Sequence, residues 1–415
     1  MKVAVIGAGV IGLCTAYELA AQGHRVTVLD RLGSAAEGAS FANGSLLSAA
    51  VGSALYRQSG LGDMFSAWSS RQPAIQWHGS ARAMLRWLWR WRKAQTSARY
   101  ADCQRQLHEL ARYSQQQLNH LSLSLGLEVD QSQGLLLLCR TAEDSHRLEP
   151  VRSVLQTLGI EHGTVTPEEA RTLEPALRAD TPLDHALHLP LDASANCRQF
   201  ALLLKAKAEE LGVQFDFNAD VQALSKQQPE ALRWNNGARS ERFDAVVVCS
   251  GHDSQRLLSP LGIKLPTQQF QAYSISAAVR EPLDAPRSAV FDEHHQVGIA
   301  RLGNRVRVTG GVEFGHRAEH DKARLQMLYK VLDDWFPGAA RTHEHTQIWK
   351  SSTICTADSL PLIGASGIPR VWLNLAHGFS GWTLACGSAR ALADALSGRS
   401  AGFSLQGFGL DRLRA

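Results

Sequence analysis

The 415-residue chain has no run of 18 or more apolar residues, so no stretch of it is long enough to cross a bilayer as a helix. It also lacks paired cysteines. The seven present (Cys14, Cys103, Cys139, Cys197, Cys249, Cys355 and Cys386) are odd in number, widely spaced and free of any C-x-x-C pair. That excludes a disulfide framework or a zinc site and leaves reduced, buried thiols as the expectation. Charge of one sign is scarce too. A formal net charge of +4, with no zinc-finger or helix-turn-helix pattern, gives no ground for a nucleic-acid partner. The pair His294-His295 lacks the carboxylate–His spacing of a metal site and reads as a turn, so no metal is expected. Internal repeats and low-complexity tracts are absent. The first strand begins near Val3, which leaves no room for a signal peptide and suggests a cytosolic protein.

What is present is globular: 44% hydrophobic and 20% charged residues, at a length that suggests two domains. Residues 3–6 (VAVI) form a short apolar run suited to a buried parallel strand. A Gly-rich turn follows, then an amphipathic helix over Val10–Ala21, then the strand RVTVL at 25–29. Between strand and helix stands Gly7-Ala8-Gly9-Val10-Ile11-Gly12. Gly7 permits the tight turn, Gly9 lets the backbone approach a pyrophosphate, and Gly12 lets helix and strand pack closely. The helix N-terminus offers free N–H groups to the anion. Asp30 ends the second strand, where a carboxylate accepts hydrogen bonds from a ribose diol. Arg31 beside it suits either a 2′-phosphate or packing against an adenine.

Further along, 34–62 reads as loop, about 81–121 as helical, and Gln199–Leu211 as a helix leading into the strand VQFDF. DAVVVCSG at 244–251 is another buried strand ending in glycine. Phe270–Val312 favours antiparallel strands, a helix covers about 320–334, and VWLNL at 371–375 runs through a glycine turn into a helix over Gly381–Leu396. Two segments fit a flavin better than a nicotinamide. The small-residue loop Ser40-Phe41-Ala42-Asn43-Gly44-Ser45 suits a pyrophosphate and flavin. The turn His377-Gly378-Phe379-Ser380-Gly381-Trp382-Thr383 opens a helix whose N-terminal amides would stabilise negative charge on a reduced flavin. Val221, Ser250 and Gly251 complete the candidate cofactor-binding set.

These stretches resemble the D-amino-acid dehydrogenase branch of the FAD-dependent amino-acid oxidase superfamily, which also holds glycine, sarcosine and hydroxyproline oxidoreductases. The likeness lies in VAVIGAGVIGLCTAYELAAQGHRVTVLDR, GASFANGSLLS, FDAVVVCSGHDSQRLLSPLGIKLP and NLAHGFSGWTLACGSARALADALSGR, with VFDEHHQVGIARLGNRVRVTGGVEF similar to substrate-domain strands. It implies FAD, and an α/β fold with a discontinuous Rossmann-like FAD-binding domain and an antiparallel-sheet substrate-binding domain. Residues 1–50, 191–265 and 345–415 are assigned to the first, 51–190 and 266–344 to the second. It implies oxidation of an amine or amino acid by hydride transfer to flavin N5, giving an imine. A secondary-amine or imino-acid dehydrogenase of hydroxyproline or opine type is an alternative, as is a flavin-holding subunit of a hetero-oligomer. Quinone or oxygen would be the electron acceptor.

One departure stands out. Many family members carry an arginine before the T-x-D-x-x-P turn that pairs with the substrate carboxylate, and here Thr353 holds that place, followed by Ile354 instead of proline. A threonine cannot make the bidentate clamp. Either Lys350 or Arg301 supplies the charge, or the substrate lacks an ordinary carboxylate, or activity is weak. Tyr273 matches a position whose phenol often faces substrate, against the alternative of a strand tyrosine that only packs. His377 is either a polarising group or a structural histidine. Finally, ARAMLRWLWRWRKAQTSARY at 81–100 sets Trp87, Trp89 and Trp91 among Arg82, Arg86, Arg90, Arg92 and Lys93. Such a helix rests on an anionic bilayer, giving a peripheral membrane contact and access to a quinone, or it buries its indoles between domains.

Overall fold

The structure is a computed structural model and describes residues 1–52, 76–78, 81–94, 96–400 and 402–413. Val3, Ala4 and Val5 have no exposed surface because their strand, Lys2–Ile6, lies inside a six-stranded sheet. Spatial order runs Leu362–Ala365, Val371–Leu375, Ala245–Val248, Lys2–Ile6, Arg25–Leu29, Gln214–Asp216. All neighbours are parallel except the first pair. Burial on both faces is why these strands read as unbroken apolar runs. The helix Val10–Ala21 packs between Gly381–Leu396 and Cys197–Glu210, sealing one layer of the core.

A larger, ten-stranded sheet carries the second half of the molecule. Its main path is Gln347–Thr356, Thr267–Ala278, Arg305–Gly315, Val297–Leu302, Ala289–Asp292, Gln131–Cys139, His185–Ala195, Leu46–Leu47. It is antiparallel apart from Ala289–Asp292 beside Gln131–Cys139 and Gln76–His78 beside Arg305–Gly315. The helix Lys322–Trp335 covers one face, burying Leu328, Val331 and Trp335 against Tyr273, Ile275, Val306 and Val308. The opposite face turns toward the 41–48 loop of the nucleotide-binding layer.

The structure departs from the sequence reading in four places. The 81–121 stretch is two helices, Ala81–Ala94 and Ser97–Leu125, parted where Thr96 is extended. The 34–62 loop contains the short strand Leu46–Leu47 and a helical turn at Ala49–Gly52, and its remainder from 53 lies outside the described residues. Gln131–Cys139 and His185–Ala195 are central strands that periodicity leaves unassigned. Gln347–Thr356, on the nucleotide-domain side of a boundary at 345, is an edge strand of the larger sheet. All seven cysteines are free and buried.

One buried acid sits in the helix layer. The Glu18 side chain, 3% exposed, lies 3.4 Å from Arg390, while Arg390 also serves Asp394 at 3.1 Å. Burial, only partly offset by Arg390, pushes the Glu18 carboxyl up to about 7. Arg390 is itself substantially exposed and shared, so its attraction does not cancel the desolvation. A folded-state value above the unfolded one adds stability below pH 4.5 that is lost as pH rises through 7. We therefore expect Glu18→Gln to raise the melting free energy by about 1–3 kcal/mol at pH 8 and by little at pH 5. Thermal unfolding at both pH values checks this. A Gln variant less stable at pH 8 would show that the Arg390 pair outweighs desolvation.

Candidate active site

The glycine turn after the first strand is sterically specified. Gly7 adopts φ +112, and a Cβ there would stand 2.6 Å from the Cys249 carbonyl oxygen. At Gly12 a Cβ would stand 1.8 Å from the Gly7 oxygen. Both positions exclude any side chain, which brings the helix onto the strand and aims its first turn out of the sheet's carboxyl edge. Gly9 is the N-cap and supplies no side-chain acceptor of its own. Ser40 Oγ accepts from Val10 N at 3.0 Å, pinning the small-residue loop over the turn.

A cleft starts here, with an empty volume of about 1510 Å³ including its open mouth. Of the sequence candidates, Gly7, Gly9, Val10, Ile11, Asp30, Arg31, Ser40, Asn43, Gly44, Val221, Ser250, Gly251, Thr353, His377, Gly378, Gly381 and Trp382 line it. Asp30 is held by two backbone donors, Ala8 N at 2.5 Å and Leu32 N at 2.8 Å, and burial raises its pKa against their opposition. Arg31 is engaged by Asp253 at 3.0 Å and His252 at 3.2 Å, an arrangement that fits packing beside an adenine better than holding a 2′-phosphate. Three of the cofactor-binding candidates fall outside the lining. Gly12 serves packing, Ser45 accepts a bond from Arg307 at 3.3 Å, and Thr383 ties the last helix to Leu46 and Ser48.

The inner end of the cleft requires corrections. Tyr273 does not face it. In the Thr267–Ala278 strand side chains alternate, so Ala272 lines the cleft while Tyr273 points into the opposite core, its hydroxyl donating to Glu313 at 3.2 Å. Arg301 lies at a hairpin end and bonds the carbonyls of Gly303 and Pro282, away from the cleft. Lys350 shares the Tyr273 side, where Glu313 at 2.9 Å and the carbonyls of Arg317 and Glu319 use its ammonium. Neither cation replaces the clamp at Thr353, whose hydroxyl donates to the Gly378 carbonyl at 3.2 Å. The His377 ring is buried, held neutral with its pKa pushed down to about 3, and bonds Ser388 Oγ at 3.1 Å within the last helix. Its side chain has a structural partner; its backbone shapes the cleft.

Sequence reasoning missed Ala272, Ser351, Ser352 and Asn374 as lining residues. Strand alternation was the available signal for Ala272, since it marks Tyr273 and Ala272 as opposite-facing. Of the three tryptophans, Trp87 and Trp91 are 5% exposed and pack on the larger sheet, Trp87 with ring centroids 5.2 Å from Phe314 and 5.9 Å from Phe270. Phe270 in turn meets Phe379 of the cleft at 5.7 Å. Trp89 and Leu85, at 64% and 63%, face outward with Arg86, Arg92 and Lys93; the side chain of Arg82 lies outside the described residues.

The residues present fit a bound dinucleotide. The glycine cradle has no room for side chains, Asp30 stands at the end of the second strand, and Asn374 Oδ1 on the cleft wall is buried without a partner among the described residues. Comparison with known proteins agrees. A D-amino acid dehydrogenase of Allorhizobium ampelinum is 35% identical over 404 residues, covering 96% of this chain and 95% of that protein. Among solved structures, glycine oxidase from Geobacillus kaustophilus superposes with a TM-score of 0.73 at 20% identity, over 99% of this chain and 98% of the other. The reduced L-α-glycerophosphate oxidase of Mycoplasma pneumoniae, with FAD bound, gives 0.69 at 17% identity over 95% and 94%. The family model for FAD dependent oxidoreductases, DAO, matches residues 2–395, and with the glycine turn, Asp30 and the cleft already in place this chain belongs to that family of FAD-dependent oxidoreductases.

Proposed function

We propose that the protein is a D-amino-acid dehydrogenase that oxidises the carbon bearing nitrogen and releases an imine. The observation that carries the reading is the extent of likeness to a D-amino acid dehydrogenase, 35% over nearly both whole chains. FAD, when bound, supplies a hydride acceptor at N5. Gly7, Gly9, Asp30 and Asn43 would hold it, and the turn at Gly378–Trp382 would place helix amides near the reduced ring system. The side chains that remain have positioning work. Thr353 fixes the Gly378 turn, and Phe379, Trp87 and Phe270 exclude water from one wall.

Among the described residues no titratable side chain at the inner end is poised as a base: His377 is neutral and bonded to Ser388, and Lys350 is committed to Glu313. The substrate amine therefore loses its proton to solvent. For a series of D-amino acids, kcat/KM should rise with unit slope in pH and level off at each substrate's own amine pKa. Anaerobic flavin bleaching with D-, L-, imino and N-alkyl acids tests the substrate class. A plateau at one shared pH would reveal an enzyme base, and bleaching only by L- or imino acids would overturn the D-amino-acid assignment.

For the acceptor we propose a membrane quinone. The outward face of Ala81–Ala94 supports it: Leu85 and Trp89 are exposed beside Arg86, Arg92 and Lys93, with the Lys93 ammonium 5.7 Å from the Trp89 ring. Each basic residue contributes about 1 kcal/mol near an anionic surface, screened by salt. Sedimentation with anionic vesicles at low salt, released at high salt and weakened in Trp89→Ala, is the expected result. No binding at either salt, with oxygen reduced faster than quinone, would point to an oxidase.

A further inference from the structure

We propose that Arg307, assisted by Arg198, anchors the substrate's carboxylate in place of the arginine missing at Thr353. This rests on the amino-acid reading above. Arg307 lies in the Arg305–Gly315 strand opposite Ser276, on the sheet face that also presents Thr309, Ser274, Trp349 and Ala272. Thr309 and Ala272 line the inner end of the cleft, so Arg307 is one step beyond it along the same face.

Charge accounting singles this residue out. Arg307 is 8% exposed, yet among the described residues it forms no ion pair, and its one hydrogen bond is Nη1 to Ser45 Oγ at 3.3 Å. Its Nε is buried without a partner. Arg198 stacks its guanidinium 4.3 Å from the Phe41 ring, and its Nε is likewise buried and unpartnered. Phe41 in turn packs on Trp349, with ring centroids 4.4 Å apart and the planes tilted by 31°. Ser274 Oγ, Thr309 Oγ1 and Trp349 Nε1 are also buried without partners. Five polar groups, each able to donate and two of them cationic, thus lie on this face or beside its aromatic pair, and among the described residues none has a carboxylate partner. Buried donors in native proteins are almost always satisfied, and an unpaired buried cation is unfavourable. A carboxylate arriving from the cleft satisfies them together. Burial, joined by repulsion from Arg305 and Arg198, pushes the Arg307 pKa down to about 10, which an anion would reverse.

The nearby acid is kept away by geometry. Gly310 and Gly311 make a bulge, Gly311 at φ +65, that shifts register between Gln271 and Tyr273. Residues 307 and 309 face the cleft side, but after the bulge Glu313 faces the other side, where Tyr273, Lys350 and Arg324 surround it. Without the bulge Glu313 would share the face of Arg307.

The test uses holoenzyme and two readouts: kcat/KM for D-alanine against D-alaninamide, and the flavin absorbance change on titrating propionate. Arg307→Met should keep its flavin, lose about 100-fold or more with D-alanine, and leave D-alaninamide within about threefold. Propionate affinity should fall by a similar factor, and Arg307→Lys should lie between. Equal loss for acid and amide, or unchanged propionate affinity, overturns the proposal, as does loss of flavin with the acid-to-amide ratio intact. If the Met variant does not fold, Arg307→Lys decides by the same titration, and wild-type propionate affinity there overturns it. Should wild type oxidise neither acid nor amide, the amino-acid reading fails, while propionate binding still decides whether Arg307 holds a carboxylate.

Discussion

A Cβ on Gly12 would overlap the Gly7 oxygen, at 1.8 Å, so the first helix starts where it does only because two glycines share that space. The rest of the site hangs from that contact. The helix N-terminus is brought to the carboxyl edge of the parallel sheet, where its free N–H groups face the cleft. Ser40 then binds Val10 N, which fixes the start of the loop that runs from the nucleotide-binding layer to the larger sheet. By Leu46–Leu47 that loop has become a strand paired with His185–Ala195, and Leu46 lies 3.1 Å from where a Cβ of Gly298 would be. One tight turn therefore sets the relation between the two sheets.

The two faces of the larger sheet are electrostatically unlike. On the helix-covered face every buried charge is met: Glu313 takes Lys350 at 2.9 Å and Arg324 at 3.5 Å, and Asp292 takes Arg140 at 2.7 Å and the Trp335 indole at 2.6 Å. Although burial opposes it, His295, Arg140 and Trp335 together pull the Asp292 carboxyl down to about 2. On the cleft-facing side, Arg307 Nε, Ser274 Oγ, Thr309 Oγ1 and Trp349 Nε1 are buried without partners among the described residues. A stability argument accounts for the first face. The second makes sense as a surface completed by an anionic ligand.

Much of this was legible in the sequence, and the limits have physical causes. The glycine turn, Asp30, the Ser40 loop and the Gly378 turn were readable because each depends on local backbone geometry that only a few residue types satisfy. The Leu135–Leu138 run escaped assignment because a strand buried on both faces has no alternation, and four apolar residues fit a helix equally well. Tyr273 was misplaced for another reason: family position says that a phenol is near, whereas strand parity says which way it points. Arg301 and Lys350 were plausible as cations by type alone, and only the partners Gly303, Pro282 and Glu313 show that both are in use. Arg307, an arginine in an arginine-rich strand, carries no local signal. Its distinction is the absence of an acid, a property of the folded arrangement.

The chemistry explains why so few titratable groups are needed at the inner end. Removing a hydride from a carbon bearing nitrogen requires an acceptor, supplied by the cofactor, and a neutral amine, supplied by solvent equilibrium. What the protein must add is orientation of one C–H bond, and orientation demands a second fixed point on the substrate away from the reacting carbon. A carboxylate offers that point only if the cation facing it is rigid and unspent. Lys350 fails the second condition because Glu313 neutralises it, and a threonine at 353 is no cation at all. A buried arginine bonded to Ser45, with Arg198 as a like-charged neighbour, meets both, since it is enclosed before substrate arrives and forms no ion pair among the described residues. Moving the anchor from the edge strand to Arg305–Gly315, two strands further into the sheet, would then change which substrate lengths align with the flavin, which makes side-chain size the property by which this protein should differ from relatives that keep the edge-strand arginine.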